Sequence, residues 1–148
     1  MVRRGLLVVD TRRTPDLSLR DTFLRAAAGL PAEDERAAVV GEALGYLQRG
    51  FDAHYAGEGA GDDDILVGDN AYALAVDTIA GLDEPRFVAV ASRMIRDGAG
   101  RIAEGGAVTV EMWTPHLAGL LDVISEEGAE GSEARIRKAV EDLRDHGG

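Results

Sequence analysis

The stretch Asp62–Ala80, DDDILVGDNAYALAVDTIA, decides the fold of this 148-residue chain. It opens on three aspartates, which are typical of a helix start, because carboxylates accept hydrogen bonds from the free N–H groups there and offset the positive end of the helix dipole. The rest is apolar on all sides, apart from Gly68, Asp69, Asn70 and Asp77. A helix with that pattern is predicted to be surrounded by protein.

Composition limits the class of protein. A chain of this length is one ordinary domain that can bury a core. Its hydrophobic share of 45% and charged share of 29% are typical of a soluble globular protein. The lack of cysteine excludes disulfides, thiolate metal sites and a cysteine nucleophile. The net charge of -11 argues against nucleic-acid binding, because phosphates require a basic surface.

Targeting signals are absent from the sequence pattern. No apolar run approaches the ~20 residues that a membrane-spanning helix requires. The run Leu6–Val9 follows two arginines but is too short for a signal peptide, and Asp10 ends it. We therefore expect a cytoplasmic protein, in which residues 1–16 form a poorly defined N-terminal segment.

Helical periodicity dominates the part of the chain before Asp62. Ser18 and Asp21 form a capping box that opens a short helix through about Ala28. The next helix is predicted to begin near residues 32–34. Its apolar face repeats at intervals of three and four residues and comprises Val40, Leu44, Leu47, Phe51 and Tyr55.

The part after Ala80 continues in the same way. Gly81 and Pro85 mark a break, in which Asp83 is predicted to cap a helix that runs to about Glu104. Residues 108–113 alternate weakly and fit a strand or a helix start. We favour a helix, because helical spacing continues beyond them.

The C-terminal region carries the last predicted helix, which Ser132 caps after a polar loop at 126–131. Glu133 and Arg137 are spaced to form an ion pair on it. Taken together, residues 1–148 are predicted to form a single-domain, all-α bundle of about six helices.

Histidine chemistry gives two interpretations. The chain has no Gly-x-Ser-x-Gly motif to accompany His54, His116 or His146, so serine–histidine catalysis is not indicated. His54 lies three residues after Phe51 on a predicted helix. It is either a hydrogen-bonded interior or interface histidine, or a residue of a binding site.

The aspartates near residue 62 also have two interpretations. Asp63, Asp64 and Asp69 fit the pattern Asp-Asp-x-x-x-x-Asp, whose carboxylates suit Mg²⁺. However, residues five or six apart lie on different sides of a helix that turns ~100° per residue. Helix capping by Asp62–Asp64, with one buried carboxylate at Asp69, explains the same residues. A buried carboxylate needs a partner or a shifted pKa.

Two segments resemble consecutive helices of polyprenyl diphosphate synthases. They are residues 43–54, ALGYLQRGFDAH, and residues 65–75, ILVGDNAYALA. The similarity covers about residues 37–105 and is greatest to the non-catalytic component I of heptaprenyl diphosphate synthase. It implies an isoprenoid-synthase-like bundle with His54, Asp69 and Asn70 near an isoprenoid diphosphate.

The chain departs from the catalytic members of that family. Those enzymes hold Mg²⁺ and a diphosphate between two Asp-rich motifs, whereas this chain has at most one, outside the helix that bears His54. Ionising an allylic diphosphate requires neutralisation of its leaving group. We therefore predict no catalytic residue, and expect a non-catalytic protein that associates with a second copy or with a catalytic prenyl synthase subunit.

Two other functions remain open. In the first, the aspartates of the Asp62–Asp69 cluster, namely Asp62, Asp63, Asp64 and Asp69, hold Mg²⁺ against a diphosphate in an enzyme, with or without His54. In the second, the chain is an acidic helical interaction domain without a small-molecule site.

Overall fold

The computed structural model describes residues 17–30, 35–57, 62–106 and 108–147, and their side chains except those of 55–57, 62–65 and 146–147. Within these ranges the chain is a helical bundle without strands, as predicted. The helices are α1 Leu19–Ala27, α2 Glu35–Gly57, α3 Asp62–Ala80, α4 Pro85–Ala103, α5 Val110–Ser125 and α6 Ala129–Gly147.

Helix α1 begins at the predicted capping residue. Ser18 Oγ accepts a hydrogen bond from the Asp21 backbone N–H at 3.0 Å. The backbone N–H of Leu19 donates to Gln48 Oε1 at 2.8 Å, which fixes the start of α1 on α2. Of the free backbone N–H groups at the start of α1, one therefore donates to the capping residue Ser18 and another to Gln48 of α2.

The predicted cap of α4 is wrong by one residue. Glu84, not Asp83, is the N-cap, and its carboxylate accepts from the Arg86 backbone N–H at 3.1 Å. Asp83 has a φ of 58°, in the left-handed region, whereas an N-cap residue is typically extended. Hydrogen bonds from the Arg86 side chain and backbone lower the pKa of Glu84 to about 2.

Helix α5 settles the ambiguity at residues 108–113 in favour of a helix. Thr109 is its N-cap, with Oγ1 accepting from the Met112 backbone N–H at 3.2 Å. Pro115 lies inside the helix and offers no N–H to the preceding turn. Thr114 Oγ1 donates to the Val110 carbonyl at 2.9 Å in the same turn.

Helix α6 begins earlier than predicted, because its start is capped from another helix. It starts at Ala129, and Ser132, the predicted cap, is fully buried in its first turns. Asp122 of α5 supplies the acceptor instead. Its Oδ1 receives the Gly128 backbone N–H at 2.7 Å and the Ser132 hydroxyl at 3.2 Å.

Helix α2 is the centre of the bundle, in contact with α1, α3, α4 and α5. Its predicted apolar face is confirmed by four residues that are at most 1% exposed: Val40, Leu44, Leu47 and Phe51. The side chain of Tyr55, the fifth predicted member, lies outside the described residues. Burial of this face fixes the position of the neighbouring helices.

Helix α3 lies at the edge of the bundle, and the prediction that protein surrounds it is wrong within this chain. Among the described helices it contacts only α2 and α4. Its inner residues, among them Tyr72 and Ile79, are buried, but Leu66 is 64%, Val67 51% and Leu74 37% exposed. Neither α3 nor any other described helix is long and apolar enough to cross a membrane.

Candidate functional site

The candidate site begins where α2 and α3 approach each other most closely. A Cβ atom built on Gly50 would lie 3.2 Å from the Gly68 carbonyl oxygen, and one on Gly68 would lie 3.2 Å from the Gly50 carbonyl oxygen. The two backbones therefore pack against each other without intervening side chains. Only glycine allows this approach, because any larger residue would push the helices apart.

Two rings occupy the space that these glycines leave. A Cβ on Gly50 would lie 2.5 Å from Tyr72 Cδ1, and a Cβ on Gly68 would lie 2.6 Å from His54 Cδ2. The His54 and Tyr72 rings stack with their centroids 5.1 Å apart and an interplanar angle of 15°. Each helix thus contributes a ring that lies over a glycine of the other helix.

The structure joins two of the three residues predicted to bind substrate. His54 Nε2 lies 3.1 Å from Asp69 Oδ1, within hydrogen-bond distance. The Asp69 side chain is 63% exposed, so the predicted buried carboxylate is wrong, although its predicted need for a partner is met. Asn70, the third residue, is exposed one position further along α3.

The predicted metal site gains no geometry from the described residues. Asp69 is bonded to His54, and the side chains of Asp63 and Asp64 lie outside the described part. Among the side chains that are described, no group of three His, Asp or Glu residues is placed to hold a metal ion. Mg²⁺ binding therefore stays a prediction from the sequence pattern.

The His54–Tyr72 stack continues into the core as an aromatic array. Phe51 lies 5.4 Å from Tyr72 and 4.9 Å from Trp113, measured between ring centroids. Gly98 of α4 makes room for it, because a Cβ there would lie 2.5 Å from Phe51 Cε1 and 2.8 Å from Trp113 Cη2. The array therefore joins α2, α3, α4 and α5.

A second histidine–aspartate pair lies at the far end of this array. The His116 ring contacts Trp113 at 5.9 Å between centroids, and its Nε2 lies 3.0 Å from Asp97 Oδ2. No local sequence pattern pairs these two residues, because Asp97 is nineteen residues away from His116 on another helix.

Two polar atoms of the array are buried without a hydrogen-bond partner among the described residues: Tyr72 Oη and Trp113 Nε1. Burial, and secondarily the charge of Asp69, raises the pKa of Tyr72 well above its usual value. The phenol therefore stays neutral at physiological pH. It cannot serve as a phenolate nucleophile or base there.

The neighbourhood of His54 and Asp69 is a surface, and two grooves lie elsewhere. One, of about 320 Å³, lies between α5 and α6 and has an acidic rim that includes Glu111 and Glu141. The other, of about 350 Å³, lies between α1 and α6 and includes Arg25 and Lys138. Neither groove is lined by the residues predicted to bind substrate.

Comparisons with known proteins returned no relative. No family model, no curated protein and no solved structure matches this chain. The resemblance to polyprenyl diphosphate synthases therefore stays a prediction, and function has to be argued from the geometry.

Proposed function

We propose that this chain is a protein-association module that pairs with a second copy of itself through the outer face of α3. We define this face as exposed residues on the side of the helix turned away from Gly68, with Val67 at its margin, about 100° around the helix from Gly68; its members are Leu66, Val67, Asn70, Ala73, Leu74 and Asp77. The observation that carries the proposal is the exposure of Leu66 and Val67, at 64% and 51%.

Exposed apolar residues on one helix face favour burial against another protein. Single exposed leucines are common, but Leu66, Val67 and Leu74 fall on one face, within about two turns. Full burial of a leucine or valine side chain contributes about 1.5–3 kcal/mol. Burying the three partly exposed residues supplies a driving force of several times RT.

The packing beneath this face supports the same function. Gly50 and Gly68 bring α2 and α3 into backbone contact, and the Tyr72 and His54 rings fill the space beside them. A helix held in that way loses little conformational freedom when a partner binds, so less of the binding free energy is lost to ordering.

The histidine–aspartate pair fits this function as a positioning contact. His54 and Asp69 join α2 to α3 at the edge of the outer face, beside Asn70. The resemblance to component I implies a different partner, a catalytic prenyl synthase subunit. The exposed residues of the outer face do not indicate the chemistry of such a subunit, so we propose a second copy of this chain as the partner.

The test is the mass of the chain in solution. At about 100 µM, a concentration that populates weak dimers, light scattering should give twice the chain mass of 15.7 kDa. Leu66→Glu/Leu74→Glu should stay monomeric. The matched control, Ala134→Glu, adds a charge at an exposed position of α6 and should dimerise like the unmodified chain.

Two results would refute the proposal. One is an unmodified chain that is monomeric at about 100 µM. The other is a Leu66→Glu/Leu74→Glu variant that associates as well as the control.

A further inference from the structure

The most acidic and the most basic helices of the described part are neighbours in sequence. Helix α3 carries five aspartates and no basic residue, a formal charge of -5. Helix α4 carries four arginines and one aspartate, a formal charge of +3, in a chain whose net charge is -11. Charges of opposite sign are thus separated onto two adjacent helices.

Both helices present a face directed away from the centre of the bundle. Helix α3 contacts α2 and α4, and helix α4 contacts α2, α3 and α5. Gly68 of α3 and Gly98 of α4 face α2 residues, namely His54 and Phe51. The outer face of α4 lies opposite Gly98 and comprises the exposed residues Ala89, Ser92, Arg93, Arg96 and Gly100. The two outer faces therefore lie side by side.

The arginines of this face are available to a partner. Arg93 has no ion pair or hydrogen bond among the described residues. Arg96 makes only a 3.9 Å contact with its neighbour Asp97, and its side chain is 73% exposed. On α3, the side chain of the exposed Asp77 likewise has no partner among the described residues.

The area of the faces requires both helices. Each is 19 residues long, about 28 Å, and about 10 Å wide. One face gives each partner only about 280 Å², far below the roughly 800 Å² of a standard interface, whereas two faces give about 560 Å². A dimer formed by both helices therefore reaches the lower limit of specific interfaces.

We infer that the dimer is two-fold symmetric, with its axis parallel to the helices, so that α3 of each copy packs against α4 of the other. This inference rests on the proposed self-association. It places the acidic helix against the basic helix twice, once on each side of the axis. Packing α3 against α3 would instead oppose like charges.

The sizes of the facing side chains agree with this arrangement. The midpoints of α3 and α4 are residues 71 and 94. A rotation about an axis parallel to these helices leaves each residue at the same height along the axis. Residues that face each other across the interface therefore have numbers that add up to about 165. Leu66 is then level with Gly100 of the second copy, and Leu74 with Ser92. Gly100 has open space where a Cβ would lie. Large side chains thus meet small ones.

The inference predicts a pattern of charge exchange that other arrangements do not share. The acidic variant, Arg93→Glu/Arg96→Glu, opposes two acidic helices in its own dimer. The basic variant, Asn70→Lys/Asp77→Arg, changes the formal charge of the outer face of α3 from -1 to +2, so that this face opposes Arg93 and Arg96 of the second copy. A mixture of the two restores opposite charges in both contacts.

The experiment is sedimentation equilibrium of each variant alone and of the equimolar mixture. Each variant alone should have a dimer Kd about tenfold or more above that of the unmodified chain, and the mixture should return to within about threefold. Equal melting temperatures of the unmixed variants check that each is folded.

A second measurement uses the absence of cysteine from the chain. Leu66→Cys and Gly100→Cys proteins, oxidised after mixing, should form a disulfide-linked heterodimer. Neither protein alone should crosslink efficiently, because a disulfide requires Cα atoms within about 7 Å.

The possible failures separate the two proposals. If the unmodified chain dimerises but the acidic variant is not weakened, or the mixture is not restored, the α3–α4 arrangement is wrong and self-association stands. If the unmodified chain is monomeric, both are wrong.

Discussion

Replacing Gly50 by alanine tests the close approach on which the candidate site depends. A Cβ at this position would lie 2.5 Å from Tyr72 Cδ1 and 3.2 Å from the Gly68 carbonyl oxygen. The first atom belongs to a rigid ring, and the second to the backbone of α3. Neither can move away without shifting the ring stack or the helix.

The expected magnitude comes from two opposing terms. Alanine is more favourable than glycine inside a helix by about 1 kcal/mol. Overpacking a core by a methyl group costs about 1–3 kcal/mol, and the upper value applies because the contacts are rigid. The net effect of Gly50→Ala is therefore a loss of about 2 kcal/mol in the free energy of unfolding.

Gly45 of the same helix provides the matched control. A Cβ there meets only Arg20 Cδ, at 3.9 Å, an ordinary contact with a flexible side chain. Gly45→Ala should therefore gain about 1 kcal/mol, which leaves a gap of about 3 kcal/mol between the two variants. At about 2–4 °C per kcal/mol for a chain of this size, their Tm values should differ by about 6–12 °C.

The assay is thermal unfolding followed by circular dichroism, at equal protein concentrations. Equal Tm values for Gly50→Ala and Gly45→Ala would refute the reasoning, because the close contact between α2 and α3 would then have no energetic effect.

Three further predictions concern Gly68, Tyr72 and Glu84. Gly68→Ala should destabilise the unmodified protein more than the His54→Ala variant, in which the contact with the Gly50 carbonyl oxygen remains; the coupling should be about 1–3 kcal/mol, measured by denaturant unfolding in a double-mutant cycle. Folding raises the pKa of Tyr72, so the unfolded chain loses the phenol proton at a lower pH than the folded chain. The free energy of unfolding should therefore fall as pH rises above about 10. This decline should be smaller in Tyr72→Phe. The Glu84 carboxyl should titrate near pH 2 by carbon NMR, and nearer its ordinary value in Arg86→Gln; equal midpoints in both proteins would show that Arg86 does not cause the shift.

The architecture was predictable where a local pattern determines it. The capping box at Ser18 and the apolar face from Val40 to Phe51 depend on residues three or four apart, and both are present in the structure. The cap of α6 was not predictable, because its acceptor, Asp122, belongs to another helix. Asp83 failed as a cap because of its own left-handed φ, which the sequence does not reveal.

The candidate site was predictable only in part. His54 and Asp69 stood out as polar residues on apolar helices, but their contact depends on how closely α2 and α3 approach. That approach depends on Gly50 and Gly68, and a glycine in a helical segment does not by itself show which helix packs against it. The exposure of Leu66 could not be predicted either, since an apolar helix looks the same at the centre of a bundle and at its edge.

The position of Trp113 gives this protein a built-in optical probe. It is the only tryptophan in the chain, and its indole stacks on Phe51 and touches the His116 ring, where α2, α4 and α5 meet. Its emission therefore reports on this one junction. Unfolding at this junction should therefore shift the wavelength of its emission.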